Sequence, residues 1–399
     1  MRWLKLAFLF LSAPLFGQQL GFALEQINGH AIIDAGLSGK GVKVGIIDGG
    51  FLKANKSTSL EHVFENNLVA GYKDYLYPDA KPYSGSAGFD DAHGTEVWEL
   101  VAGHSKEKKV QYGLATGATF YLARTDHGGY EKRQEEEYAI EAMEWMAKEG
   151  VNIINISLGY NYGFSDKREN YHPYQMDGKS TILTQAVDRI STEYGILVIV
   201  AAGNDGNHKW KIIGSPGDAV SALTVGATKF KVWDEMKYTS KGPKWLEYVK
   251  PEIAAYASLG TSFSAPVITG LAACLLEAKP SLDGQELKDI LIASSSLACP
   301  NNYIGYGVPD AEKALALLNG DSLSFASRLI KVDKNSYTLE MEKPSIYTAV
   351  YHKDDWRILK KEMLRNKKAR IKIKRKEDAT SSTVIWEGGS LEVVWEESH

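Results

Sequence analysis

The chain has 399 residues, 44% hydrophobic and 24% charged, with a formal net charge of −4. That is a globular composition, long enough for one large core plus a small accessory domain. It carries no overall nucleic-acid signal, and its two cysteines, Cys274 and Cys299, exclude a disulfide scaffold.

Residues 1–17 read as a secretory signal. Arg2 and Lys5 are basic, residues 6–16 are apolar, and Gly17 is a small residue at a plausible cleavage point. The apolar stretch is too short to span a bilayer and contains Pro14, so an exported protein without stable membrane insertion is expected. From residue 42 to about 318, strand-like and helix-like runs alternate. The strands are expected over 42–48, 119–124, 151–158, 196–202 and 222–227, and the helices over 134–149, 181–194, 264–278 and 284–293. The last of these follows a Pro-Ser-Leu-Asp start signal. These strands are continuously apolar, as expected where helices cover both faces of a parallel sheet. The expected fold is therefore α/β, a doubly wound, mostly parallel sheet. From about Ser322 the texture shifts to short alternating runs rich in Tyr, Val, Ile and Trp, over 337–340, 345–352, 370–375, 382–386 and 390–395. They predict a small C-terminal antiparallel β domain. Residues 360–376 are strongly basic, but Ile371 and Ile373 alternate with Lys372 and Lys374, the pattern of a strand with one wet face.

Chemistry concentrates in three stretches. Gly260-Thr261-Ser262-Phe263-Ser264-Ala265-Pro266 precedes an apolar, Ala-rich run, which puts Ser262 at a helix N-terminus. Taken alone, Ser262 reads equally well as a helix N-cap. Val42-Lys43-Val44-Gly45-Ile46-Ile47-Asp48-Gly49-Gly50 delivers a carboxylate to the C-terminal end of a buried strand, the edge where open α/β sheets keep their sites. Asp91-Ala92-His93-Gly94-Thr95 supplies a histidine. A serine hydroxyl needs a base within bonding reach, an imidazole titrates near neutrality, and a carboxylate can hold its other nitrogen. Glu96, Glu99 and His104 lack the spacing of a zinc-binding motif.

With VGIIDGG around Asp48, HGT at His93 and GTSFSAP around Ser262, in that order, the chain resembles the subtilisin-like serine proteases, the subtilases. The similarity runs over roughly residues 25–315, through Ser157-Leu158-Gly159, Ala201-Ala202-Gly203-Asn204 and Gly305-Tyr306-Gly307. The resemblance implies a serine endopeptidase acting on polypeptides, with Asp48, His93 and Ser262 as a triad. The side-chain amide of Asn204 and the Ser262 N–H would be its oxyanion donors. Substrate would lie between Ser157, Leu158 and Gly159 on one side and a loop with Gly128 and Gly129 on the other. Ala201, Ala202 and Gly203 would wall the first pocket, and His127 would be a loop histidine. The implied division is a signal peptide (1–17), a catalytic domain (18–320) and a β-rich domain (321–399). No cofactor is required; structural calcium is common in the family, but no calcium-loop motif assigns a site here.

Three departures stand out. No folding propeptide is expected between the signal and the first catalytic strand, Trp98 and Glu99 replace small residues after His93, and the segment before Gly260 is short. The first two motivate an alternative, a catalytically impaired, subtilase-like peptide-binding protein. Export permits a Cys274–Cys299 bridge, and the sequence leaves it open.

Overall fold

The computed structural model of the chain describes residues 19–85, 89–129, 131–322, 328–365 and 368–396. The expected signal, residues 1–17, lies outside the described residues. Among these, a sheet of seven strands organises the larger part of the molecule. Its strands are β1 (Lys43–Asp48), β2 (Val69–Asp74), β3 (Thr119–Arg124), β4 (Ile153–Ile156), β5 (Leu197–Ala201), β6 (Leu223–Thr228) and β7 (Ile253–Tyr256). They lie in the order β7-β6-β5-β4-β1-β3-β2, and every neighbouring pair is parallel. The strand order reverses beside β1, which leaves a crevice at the carboxyl edge where Asp48 stands.

Both faces are covered, which is why the strand runs read as unbroken apolar stretches. Helices α1 (Phe89–Ala102), α4 (Ala265–Ala278), α5 (Gly284–Ala293) and α6 (Ala311–Leu318) pack on one face; α2 (Arg133–Lys148) and α3 (Ile182–Tyr194) pack on the other. Successive residues serve opposite cores: Val44 and Ile46 join the first, Ile47 the second. Local signals set the helix ends. Thr181 accepts the Thr184 N–H at the start of α3, and Gly195 ends it in the left-handed region. Asp283 and Glu286 form a capping box on α5. Helix α4 is buried on every side from Ala265 to Leu276, so its apolar length marks a core helix.

Two strands, β2 and β7, are absent from the expected set. β2 is a half-exposed edge with no apolar run, and β7 is four residues long. Helix α1 begins four residues before His93, so His93 stands within the helix.

The C-terminal residues form β8 (Leu329–Val332), β9 (Ser336–Glu340), β10 (Tyr347–Asp354), β11 (Arg357–Arg365), β12 (Arg370–Lys374), β13 (Ser381–Trp386) and β14 (Gly389–Trp395). Five of them make a sheet in the order β8-β14-β13-β10-β11, antiparallel except for the β8–β14 pair. The β9–β12 ribbon covers one face, burying Ile371 and Ile373 against Val350, Val384 and Val393, while Lys372 and Lys374 face water. The other face sets Ala349, Ile358 and Ile385 against Ala254, Leu297 and Ile304. Cys274 and Cys299 are both free, and Cys274 is buried in α4.

The junction between the two sheets also buries charge. The Tyr351 hydroxyl lies within hydrogen-bond reach of both Asp234 and Glu235, and the Lys361 ammonium meets both carboxylates, Glu235 at 2.5 Å. Burial, and then Asp234 beside it, push Glu235 up to about 7. Removing one partner of such a cluster leaves uncompensated buried charge. We expect Lys361→Met to cost about 3 kcal/mol at neutral pH, read by chemical denaturation. The cost should shrink at pH 5, where Glu235 takes up a proton and needs the cation less.

Candidate active site

The site grows from the end of β1. Asp48 is fully buried, and its Oδ1 accepts from the Gly49 N–H at 2.8 Å and from His93 Nδ1 at 2.7 Å. Bringing α1 this close to β1 requires bare backbone. A Cβ on Gly94 would lie 2.6 Å from the Gly50 carbonyl, and one on Gly50 would lie 2.6 Å from the Asp91 carbonyl. Arg124, buried at the end of β3, ties the same corner together. It donates to the Gly49 carbonyl at 2.9 Å and to Asp91 Oδ1 at 2.6 Å, and lies 3.5 Å from Asp74. With its donor bonds spread over β1 and the first turns of α1, Arg124 is a positioning residue that motif reading did not single out.

The bulky residues after His93 anchor the helix from behind. Trp98 is fully buried among Phe51, Phe64 and Phe120, with ring centroids 6.4, 5.6 and 5.3 Å away. Glu99 accepts from Ser57 Oγ at 2.5 Å, and partial burial raises its carboxyl. Neither side chain lies between His93 and Asp48.

Ser262 sits in a one-turn 3-10 helix, Thr261–Phe263, that precedes α4. It is therefore not the α4 N-cap, a position that falls to Ser264. The His93 ring packs against Phe263 with centroids 5.5 Å apart. Ser262 Oγ donates to the Ser157 carbonyl at 3.2 Å, and Ser157 Oγ donates back to the Ser262 carbonyl at 3.0 Å. Behind this pair, Thr269 of α4 donates to Asn155 of β4, whose amide donates to Ser157 Oγ at 3.0 Å. The turn is thus fixed to β4 by a buried polar chain, a link that only folding creates.

Thr261, also fully buried, orients Asn204. Asn204 Oδ1 accepts from the Thr261 N–H at 2.9 Å and from its hydroxyl at 3.1 Å, while Thr261 Oγ1 accepts the Gly203 N–H at 2.9 Å. Because a main-chain N–H can only donate, the amide oxygen is the atom turned to Thr261, and Nδ2 is left free to donate elsewhere. A cavity of about 220 Å³ opens here, lined by Ser157, Leu158, Gly159, Ala201, Ala202, Gly203, Asn204, Thr261 and Ser262. Gly128 and Gly129 do not line it; they stand in the loop after β3, where Gly128 is left-handed at φ +70°.

That loop gathers Asp126, Glu131 and Glu135, carboxylates close enough to share a cation. Both oxygens of Asp126 and both of Glu135 already accept hydrogen bonds. Asp126 Oδ1 accepts the Gly128 N–H at 2.6 Å, and Glu135 accepts from the His127 N–H and ring and from the Lys132 N–H. The trio fits a hydrogen-bonded loop better than a calcium cage, which needs six to eight free oxygen ligands. His127 is engaged in the loop.

The model of the Subtilase family of peptidases matches residues 39–307. The chain belongs to the subtilase family. Subtilisin E of Bacillus subtilis is 25% identical over 313 residues, covering 75% of this chain and 72% of that one. Subtilisin DY of Bacillus licheniformis is 27% identical over 311 residues, covering 74% and 99%. The halolysin-like extracellular serine protease Nep of Natrialba magadii is 29% identical over 309 residues, covering 76% and 52%. The Clostridium perfringens CspB protease structure shares the fold with a TM-score of 0.61 at 14% identity, over 75% of this chain and 99% of that one. This subtilase is accordingly a serine endopeptidase, a hydrolase of polypeptides.

The loop makes a pH prediction. Burial, and then the Glu135 carboxylate, push Asp126 from an ordinary 3.8 up to about 7. A carboxyl raised on folding favours the fold when protonated, so its contribution falls as pH rises from about 4 to about 7. Asp126→Asn, which removes the charge and keeps the shape, should therefore raise the melting temperature over wild type at pH 8 and leave it nearly level at pH 4. Scanning calorimetry at the two pH values checks this.

Proposed function

We propose that this subtilase is an exported endopeptidase that hydrolyses peptide bonds through an acyl-enzyme on Ser262. The observation that carries the reading is the Asp48–His93 hydrogen bond, with the His93 ring seated against the turn that carries Ser262. Asp48 fixes the imidazole tautomer, and the other ring nitrogen takes the hydroxyl proton as Ser262 Oγ attacks the carbonyl carbon. In doing so the hydroxyl gives up its bond to the Ser157 carbonyl. The C–N bond then breaks, and His93 returns the proton to the leaving amine; a water that gives its proton to His93 next attacks the acyl carbon, the ester C–O bond breaks, and Ser262 Oγ recovers the proton. Asn204 Nδ2 and the Ser262 N–H serve as donors to the developing oxyanion, and the locked Thr261–Asn204 contacts support that role by fixing the amide before reaction.

The acyl half of an extended substrate lies along Ser157, Leu158 and Gly159, its side chain in the cavity walled by Ala201, Ala202 and Gly203. Gly128 and Gly129 form the opposite rail. Residues 18–320 act as the catalytic domain and 321–399 as a β-rich accessory domain, without cofactor and without nucleic-acid binding. The leader-like residues 1–17, with one relative named as extracellular, support export. The impaired, peptide-binding alternative is not favoured, because Trp98 and Glu99 anchor α1 without parting His93 from Asp48.

A fluorophosphonate should label the folded protein on Ser262, and Ser262→Ala should abolish both labelling and casein turnover. Asn204→Ala should lower kcat by about 100 to 1000-fold with little change in KM, the loss characteristic of removing one oxyanion donor from a subtilisin-type enzyme. A folded wild-type protein that resists labelling would overturn the reading.

A further inference from the structure

A second, larger cavity lies beside the nucleophile turn. It measures about 560 Å³, against 220 Å³ for the cavity beneath Asn204, and falls in the usual range of ligand sites. Its walls are Leu20, Phe22, Leu100, Tyr112, Leu259 and Phe263. Four separate parts of the chain build it. Strand residues Gln19–Leu20 pair in parallel with Val110–Gln111 and bring up Phe22, whose ring packs 4.9 Å from Phe230 and 6.3 Å from Tyr256. Leu100 comes from α1, two turns beyond His93, and Leu259 from the short segment before Gly260. Leu259 is 79% exposed and Phe22 58% exposed, so both present apolar surface to solvent at the cavity.

The position of this cavity assigns its occupant. Phe263, the residue after Ser262, is shared between the His93 ring contact and the cavity wall, and Glu96, one turn beyond His93, stands at the rim. The oxyanion donors line the separate 220 Å³ cavity, which shares no wall residue with this one. The acyl half of a substrate goes to those donors, whereas the leaving amine must lie next to His93 to receive its proton. The apolar cavity is therefore continuous with the leaving-group side.

We propose that this cavity is the leaving-group subsite, and that the N-terminal residues 20–22 and Leu259 give the enzyme a preference for a large apolar side chain at the first or second residue after the scissile bond. The proposal rests on the acyl-enzyme reading of Ser262 and adds the substrate class to it. The occupant is the departing segment of an apolar peptide. It enters an apolar wall already formed by side chains held through strand pairing and ring packing, so little ordering is needed on binding.

The test uses peptides with one acyl half and Gly, Asp, Leu or Phe at each of the two positions after the cleaved bond, alongside a p-nitroanilide of the same acyl half. Wild type should show kcat/KM for Leu and Phe at least tenfold above Gly and Asp at one of the two positions. Leu259→Ala and Phe22→Ala should each reduce the Phe-to-Gly ratio by about tenfold. The exposure of Leu259 makes its truncation safe for folding, and a thermal melt of each variant checks this. Turnover of the p-nitroanilide with a wild-type ratio below tenfold at both positions overturns this proposal and leaves the acyl-enzyme reading standing. No turnover of any substrate by folded protein counts against that reading instead. A ratio unmoved in both variants, or a wild-type dimer in sedimentation that Leu259→Glu dissolves, assigns the groove elsewhere and overturns the proposal.

Discussion

The rest of the site depends on a carboxylate carried to zero exposure at the end of β1. Asp48 can be held there only if donors come to it, and the two that do are the next main-chain N–H and the His93 ring. That requirement sets the approach of α1, which in turn requires glycine at 50 and 94, because any side chain at either position would strike backbone on the other element. Arg124 answers the same demand from β3, reaching both the Gly49 carbonyl and Asp91. The histidine is thus placed by the end of one strand, the start of one helix and a cation from the neighbouring strand. None of these contacts depends on a mobile surface loop.

The nucleophile turn is fixed from the other direction. Helix α4 is buried all round, so it acts as a rigid post, and Thr269 on it reaches through Asn155 and Ser157 to the main chain of Ser262. Thr261 performs the same service for Asn204. Fully satisfied buried networks of this kind specify one arrangement, since any displacement strands a polar group away from water. On either side of the turn the lining then differs in kind: amides and small residues beneath Asn204, large apolar side chains beyond Phe263. One short turn therefore separates a polar cavity from an apolar one.

The C-terminal strands show why some elements escaped reading. Residues 357–365, Arg-Ile-Leu-Lys-Lys-Glu-Met-Leu-Arg, favour helix by propensity, yet they form β11 because β10 offers them a ladder along nearly their whole length. The alternation of Ile371 and Ile373 with lysines was legible, and it describes β12 as folded. The mixed pairing of β8 with β14 was not, since parallel and antiparallel partners look alike in one strand's sequence. The buried cluster of Asp234, Glu235, Tyr351 and Lys361 was equally hidden, because its members come from opposite sides of the junction.

By itself the sequence determined the layered α/β architecture, the subtilase resemblance and the short list of Asp48, His93, Asn204 and Ser262. Continuous apolar runs, caps and motif residues are local properties, readable within a dozen positions. Tertiary structure alone decided that Thr261 orients Asn204, that Arg124 braces the start of α1, that Trp98 supports the helix it seemed placed to disturb, and that Leu20, Phe22 and Leu259 share one cavity. Those relations join residues up to some 240 positions apart. Their partners are chosen by the sheet order and the helix packing, which no single stretch of the chain contains.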